Sequence, residues 1–356
     1  MNERFAVIMA GGSGTRFWPR SRTDRPKQLL EMRPGSTLIQ DTQARIPAWI
    51  DRDHIIYVTN ESQAAALIEQ TGADPRNVLR EPCGKDTAPC VALATALIQQ
   101  RSAKASMCVL AADHFIAPNE AFAADLERAF KAAEAEPVLV TFGIPAAVPH
   151  LGYGYLERSI KRPDGLFEVA RFHEKPAADR AQAFVDGGRH DWNSGIFVWS
   201  ADTIAAEFER QQPALWATVR AAGPQLDGPL RAEAIDRAYQ AITAGISVDR
   251  GIMQGAGRVV AVSASFEWDD IGSFGALARH APVDDAGNVT LGETVTLDAK
   301  HCVVDNRSEG IVALLGVEGL VVVRVGDAVL VTTTEREQDV KLIVQKLRDQ
   351  GRDQYL

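Results

Sequence analysis

The segment Ala10-Gly11-Gly12-Ser13-Gly14-Thr15-Arg16 follows a short apolar run and places three glycines in four positions. Without Cβ atoms, backbone can turn tightly and come close to a ligand. Successive N–H groups exposed in such a turn form a concavity that suits an anion. Arg16 and, eleven residues on, Lys27 in Pro26-Lys27-Gln28 are two cations able to reach one polyphosphate. Two better-known glycine motifs do not fit. The pattern G-x-G-x-x-G begun at Gly12 meets Phe17 at its sixth position, and Gly84-Lys85 has Leu79 where G-x-x-x-x-G-K-[ST] needs glycine and Asp86 where it needs a hydroxyl. What remains is phosphate recognition by a glycine loop with two cations, although each cation taken singly is equally well an ordinary surface charge.

Carboxylates supply the complementary chemistry. Asp113 follows the apolar run Ser106–Ala111, and Asp270 lies in Trp268-Asp269-Asp270-Ile271-Gly272. Mg²⁺ is generally held by one or two carboxylates together with substrate phosphates and water. An isolated aspartate after a strand is more often a helix cap or turn former. Likewise Glu174-Lys175 reads as a solvated pair and Asn193-Ser194-Gly195 as a turn. The seven histidines are scattered, and no Ser-His or Cys-His arrangement is suggested.

The stretch Val7–Leu30, V-I-M-A-G-G-S-G-T-R-F-W-P-R-S-R-T-D-R-P-K-Q-L-L, closely resembles the opening of the nucleotide-sugar pyrophosphorylases. Trp18-Pro19 and the P-K-Q ending are similar to the mannose-1-phosphate guanylyltransferase branch. Five further blocks continue the resemblance in order: E-P-C-G-K-D-T-A-P (81–89), A-A-D-H (111–114), G-I-P-A-A-V-P-H-L-G-Y-G-Y-L (143–156), F-H-E-K-P (172–176) with W-N-S-G-I-F (192–197), and W-D-D-I-G-S-F (268–274).

The resemblance implies roles. Gly11, Gly12, Gly14 and Thr15 would contact the nucleotide, with Thr87 and Asp113. Arg16, Lys27 and Lys175 would neutralise phosphates during catalysis. Asp113 and Asp270 would hold Mg²⁺ or Mn²⁺, Asp270 being favoured over Asp269 by the W-x-D-x-G spacing. Lys175 would grip the sugar phosphate, with Gly152, Tyr153, Glu174 and Asn193 around the sugar. Glu81 would accept hydrogen bonds from guanine N1–H and its amino group, a donor pair that adenine lacks. The implied reaction joins GTP and α-mannose 1-phosphate into GDP-mannose and pyrophosphate. Two departures stand out: Asp86 replaces the family's usual asparagine, and Gln254 replaces an acid in S-V-D-R-G-I-M-Q, where Asp249 is retained as a weaker candidate.

The surrounding pattern must position these groups. Phe5–Met9, His54–Thr59, Ser106–Ala111 and Val138–Gly143 read as buried strands, and Glu61–Gln70, Thr87–Gln100 and Glu120–Ala135 as helices. The alternation predicts an α/β fold, a Rossmann-like mixed and mainly parallel sheet flanked by helices. Function in such sheets sits at the carboxyl ends of strands, which selects the loops after Met9, Ala111 and Gly143. Residues 145–200 read as an antiparallel addition, followed by helices near 201–222 and 230–243 and a strand within Gly257–Phe266. After Pro282, short Val/Leu runs recur without long helices: Val289–Leu291, Val295–Leu297, Val303–Val304, Ile311–Leu315, Leu320–Val325 and Ala328–Thr332. These predict a separate small β domain, solenoid-like, with the left-handed β-helix as its candidate form. It ends in a helix docking Val340, Ile343, Val344 and Leu347. The expected division is a catalytic domain over 1–282 and a β domain over 283–356.

The net charge of −9 leaves no general basic field for nucleic acid or an anionic membrane. The four cysteines contain no C-x-x-C pair and read as reduced thiols. The apolar run Phe5–Ala10 is too short for a signal-peptide core, and no 18 uncharged apolar residues run together, so a cytoplasmic protein is expected. Three other readings are weighed. Another base or sugar, such as UTP or dTTP with glucose 1-phosphate, changes only the substrate. A non-catalytic regulatory homologue would be expected to lose Arg16, Lys27, Asp113 or Asp270, and all four are present. A bifunctional mannose 6-phosphate isomerase would need a further metal site, but His301 is the single histidine after Pro282. By resemblance to short bacterial-type members, the β domain would pair two subunits into a homodimer.

Overall fold

The computed structural model describes residues 2–33 and 35–356, which divide into two compact units. The first comprises the chain up to Gly11, Asp41–Ala112 and Ile116–Trp268. Its nine-stranded sheet has the order Val78–Glu81, Ile55–Asn60, Glu3–Met9, Ala105–Ala111, His190–Ser200, Leu139–Pro145, Val259–Ser263, Phe167–His173, Tyr155–Lys161. The first four strands are mutually parallel. His190–Ser200 runs antiparallel to both its neighbours, Val259–Ser263 is parallel to Leu139–Pro145, and the last two strands pair antiparallel. The sheet is thus mixed, with its parallel half first in the chain.

Ala6, Val7 and Ile8 are all fully buried. Both faces of this strand are covered, which is why it reads as a continuous apolar run and not as an alternation. The helix Thr87–Arg101 is buried at every position from Ala88 to Ile98. It is enclosed, and its Leu93 and Leu97 share one core with Trp199, Phe208, Trp216 and Tyr239. The strand Val78–Glu81 and the helix Leu38–Ala44 escape the sequence pattern, because each offers few apolar residues in too short a run. Among the described residues, no helix is long and apolar enough to cross a membrane.

The second unit comprises Gly12–Gln40, Asp113–Phe115 and Asp269–Leu356. Val289–Leu291, Val303–Asn306 and Leu320–Val325 form one parallel set, closed by antiparallel Ala328–Thr333. Thr294–Leu297 and Val312–Leu315, which alternate with them along the chain, pair parallel in a second sheet. Successive strands therefore pass back and forth between two sheets, the coiling expected of a β-helix-like domain. Its core takes in Phe17, Trp18 and Leu30 together with Val303, Val321, Val323 and Val344. The Trp18 indole N–H donates to the Tyr355 carbonyl at 2.7 Å. The glycine-loop segment is thus built into the same unit as the β domain.

One expectation is corrected at the C-terminal helix, Val340–Asp349. Val340 and Val344 are buried and Leu347 packs beside them, but Ile343 is 42% exposed. The buried stripe is the narrow i, i+4, i+7 line, and the i+3 position lies on its flank.

Candidate functional site

The second unit carries a cleft of about 280 Å³, lined by Ser13, Gly14, Thr15, Arg16, Phe17, Lys27, Asp113, His114, Asp270, Ile271 and Gly272. Gly14 has φ 59°, and a Cβ there would lie 2.4 Å from Lys27 Cβ and 2.9 Å from its backbone N. Both the left-handed backbone and the close approach require glycine. Gly12 is different, since a Cβ on it would meet nothing within 4 Å. Its carbonyl accepts from Gln28 Nε2 at 3.0 Å, and the Gly14 carbonyl accepts from Ser21 Oγ at 2.7 Å, so the loop's carbonyls are pinned from behind.

Lys27 is almost wholly buried, and its Nζ donates to Asp113 Oδ2 at 2.8 Å and to the Asp270 carbonyl at 2.6 Å. Burial alone would push the Asp113 carboxyl up, but the Lys27 ammonium, aided by His114, holds it below the usual range. Asp113 is therefore kept ionised, with one face still open to the cleft. Arg16 donates to the Gly272 carbonyl at 3.1 Å. A Cβ on Gly272 would stand 3.1 Å from the Arg16 guanidinium and 3.3 Å from both Asp270 oxygens, so these two charges share one corner.

The neighbouring aspartates divide their tasks. Asp269 accepts from Ile271 N, Arg279 and His280 and is buried. Asp270 lines the cleft. Between them and Gly272, Ile271 takes φ 43°, a costly conformation for a β-branched side chain. Asp113 and Asp270 form the hard oxygen donor set suited to Mg²⁺ or Mn²⁺.

In the first unit, three adjacent parallel strands deliver a second set at their carboxyl ends. Asn60 and Glu81 are register partners, and Gly11 follows Glu3–Met9. A Cβ on Gly11 would lie 3.1 Å from Glu81 Oε2 and 3.7 Å from Asn60 Oδ1. Asn60 donates to the Gly11 carbonyl at 2.7 Å, while its Oδ1 is buried without a partner. Burial pushes the Glu81 carboxyl up to about 7, against the Tyr239 hydroxyl, which donates to Oε1 at 2.5 Å. The result is a buried acceptor set: one Glu81 oxygen engaged, the other beside Asn60.

Thr87 begins the helix that Asp86 caps, with Asp86 at φ 66° accepting from Thr87 N at 2.8 Å. Asparagine and aspartate share this capping ability and this tolerance of positive φ, so the departure at Asp86 preserves the turn. The Thr87 hydroxyl accepts from Val248 N at 2.8 Å, tying the helix start to the turn that carries Asp249. Gln254 is exposed in the turn Met253–Gly255.

The expected sugar residues form a third set, also in the first unit. Asn193 is held at both ends, its Oδ1 accepting from Thr141 Oγ1 at 3.0 Å and its Nδ2 donating to Asp249 Oδ1 at 2.9 Å. Burial, and then the charge of Glu174, push the Asp249 carboxyl up to about 6. Glu174 lies 3.2 Å from the half-exposed Lys175 ammonium. Gly154 is glycine for a packing reason. The place of its missing Cβ is taken by Glu174 Oε2 at 3.0 Å and the Phe172 ring at 3.3 Å. Gly152 is exposed, and Tyr153 stacks on His150 at 3.6 Å and meets Trp192 and Trp268 edge-on. Sequence reasoning did not single out Asn60 or Tyr239, and Asp249, kept there as a weaker candidate, proves to hold Asn193 in place.

Comparison with known proteins gives concordant matches. A nucleotidyl transferase family model matches residues 5–285, and a MannoseP isomerase/GMP-like β-helix domain model matches 292–347. A Klebsiella pneumoniae mannose-1-phosphate guanylyltransferase is 35% identical over 354 residues, covering 98% of this chain and 75% of its own. The Pseudomonas putida alginate biosynthesis protein AlgA is 36% identical over 353 residues, covering 97% and 72%. The crystal structure of a Thermus thermophilus mannose-1-phosphate geranyltransferase superposes with a TM-score of 0.86 at 33% identity, covering 97% of this chain and 99% of that one.

Proposed function

The chain belongs to the nucleotidyl transferase family, and we propose that it transfers GMP from GTP to α-D-mannose 1-phosphate, forming GDP-mannose and pyrophosphate. The observation that carries the choice of base is the buried Glu81 carboxylate beside the unpartnered Asn60 Oδ1. Buried acceptors without donors are costly, so the set favours a base presenting adjacent N–H groups, as guanine does, and disfavours adenine.

A phosphate oxygen of the sugar 1-phosphate attacks the α-phosphorus in line, a P–O bond forms, and the bond to pyrophosphate breaks. The nucleophile has a second pKa of about 6 and is already largely dianionic at neutral pH, so no general base is needed. The chain's task is charge neutralisation and positioning. In the second unit, Arg16 and the N–H groups of Gly12 to Thr15 bind phosphate, and Lys27 holds Asp113 ionised. In the first, Lys175 binds the sugar phosphate, Glu174, Asp249 and Asn193 take sugar hydroxyls, and Tyr153 provides an apolar ring face. A divalent cation, Mg²⁺ or Mn²⁺, held by Asp113 and Asp270 would supply neutralisation of phosphate charge.

The four cysteines are free thiols, which fits a cytoplasmic location. Val295, Leu297 and Leu315 are 51%, 62% and 70% exposed, with Leu297 opposite Leu315 in register. This apolar face supports a homodimer formed through the β domain. The function is tested by pyrophosphate release across four nucleoside triphosphates and several sugar 1-phosphates with Mg²⁺. GTP with mannose 1-phosphate should be best by at least about tenfold. A faster pair would replace the substrate assignment, and no release with any pair would favour the regulatory reading.

A further inference from the structure

Glu157, His173 and His190, none of which takes part in the reaction above, converge from three strands of the first unit. His190 is directly opposite Glu157 in antiparallel register, and His173 lies two residues from Arg171, the partner of Glu157 on its other side. Period-2 alternation therefore puts all three side chains on one face of the sheet. One ligand atom from each lies within 4.8 Å of those of the other two.

From this geometry we infer that Glu157, His173 and His190 form a binding site for a Zn²⁺-class divalent transition metal, separate from the Asp113/Asp270 pair. Two imidazoles and one carboxylate are a recurrent donor set for such ions, and a poor one for Mg²⁺, which prefers oxygen. The donors face one another without satisfying one another. His173 Nε2 stands 3.8 Å from Glu157 Oε2, beyond hydrogen-bond reach. His190 Nδ1 is buried with no hydrogen-bond partner. Burial lowers both histidines from their ordinary value, a shift toward the neutral form that ligates. Phe184 packs over both rings, stacked on His190 at 4.0 Å and tilted to His173 at 4.8 Å, and limits their rotation.

One contact opposes binding. The exposed Arg180 guanidinium donates to His173 Nδ1 at 3.1 Å. A guanidinium can only donate, so the ring proton sits on Nε2, the nitrogen that faces Glu157. Metal ligation through Nε2 moves that proton to Nδ1 and breaks the Arg180 contact. Arg180 therefore acts as a brake on the site. The bound ion would clamp the strands Tyr155–Lys161, Phe167–His173 and His190–Ser200, the second leading directly into Glu174 and the third containing Asn193.

The test uses the full chain stripped by chelator, then titrated with Zn²⁺ or Co²⁺ in excess Mg²⁺ so that the carboxylate pair is occupied. One equivalent should bind, with a rise in Tm and, for Co²⁺, visible absorption from nitrogen ligation. His190→Ala and Glu157→Gln should each weaken binding by about 10-fold or more. Arg180→Ala, an exposed change that spares the fold, should tighten it by about 10-fold. No bound equivalent in either the unaltered chain or Arg180→Ala would sink the assignment. So would an equivalent that binds the His190→Ala and unaltered proteins alike, or an Arg180→Ala protein that binds less tightly.

Discussion

Arg20 and Asp305 form a buried ion pair at 2.8 Å, and Asp305 also accepts from Arg307 at 2.6 Å. Arg20 follows the glycine loop, and Asp305 sits in the strand Val303–Asn306 of the β-helix-like domain. The same guanidinium donates to the Glu31 carbonyl. The β-helix-like domain thus anchors the segment holding Arg16 and Lys27. Removing one partner of a buried pair leaves an uncompensated charge and costs about 3–5 kcal/mol. Asp305→Ala should therefore lower the urea midpoint markedly and reduce transfer, while Asp305→Asn should lose less. Unchanged stability in Asp305→Ala would mean the pair is not an anchor.

Lys27 has a double task, holding Asp113 ionised and bracing the Asp270 carbonyl. Its replacement should cost on the order of 10²–10³ in kcat, the scale of a lost preorganised electrostatic donor. Lys27→Met should also raise the Mg²⁺ concentration needed for half-maximal rate, since Asp113 loses its partner. Gly14→Ala should mimic it, because the new methyl collides with Lys27 Cβ and N. Metal titrations of the rate distinguish these effects from a simple loss of fold. If Lys27→Met keeps near-full turnover, the cation has no catalytic role.

Much of this arrangement was legible beforehand, for identifiable reasons. Strands buried on both faces, such as Glu3–Met9, announce themselves as apolar runs, and the helix Thr87–Arg101 as an alanine- and leucine-rich stretch. Spacing favoured Asp270 over Asp269, and in the structure Asp269 is engaged by Ile271 N, Arg279 and His280 while Asp270 lines the cleft. Asn60 was illegible because it becomes a neighbour of Glu81 only through a strand too short to predict. Tyr239 lies 158 residues from Glu81 and carries no local signal. Ile343 looked like a core residue because periodicity marks a face without fixing its width.

Asp249 orients Asn193 and sits beside Glu174. A hydrogen bond to a charged group is worth about 1.5–3 kcal/mol, so Asp249→Ala should raise KM for the sugar 1-phosphate about 10- to 100-fold. KM for the nucleotide should move little. A loss confined to kcat would instead place Asp249 in the chemical step.

The role proposed for Glu81 predicts that base recognition depends on pH. Its carboxyl is raised to about 7 in the folded chain from an ordinary 4.5. A carboxyl raised by folding stabilises the fold fully below its unfolded value, and that contribution is lost as pH rises from 4.5 through 7. Glu81→Gln should therefore gain stability relative to the unaltered chain as pH rises through this window. Nucleotide binding should run the other way, because only the ionised carboxylate accepts both donors of the base. KM for GTP should fall about tenfold between pH 6 and pH 8, as expected for one group titrating near 7. Binding near pH 6.5 should also release a fraction of a proton, read by calorimetry in two buffers of different ionisation enthalpy. Glu81→Gln should abolish both the release and the pH slope. A proton release that persists in Glu81→Gln would assign the titration to the nucleotide phosphates and remove Glu81 from base recognition.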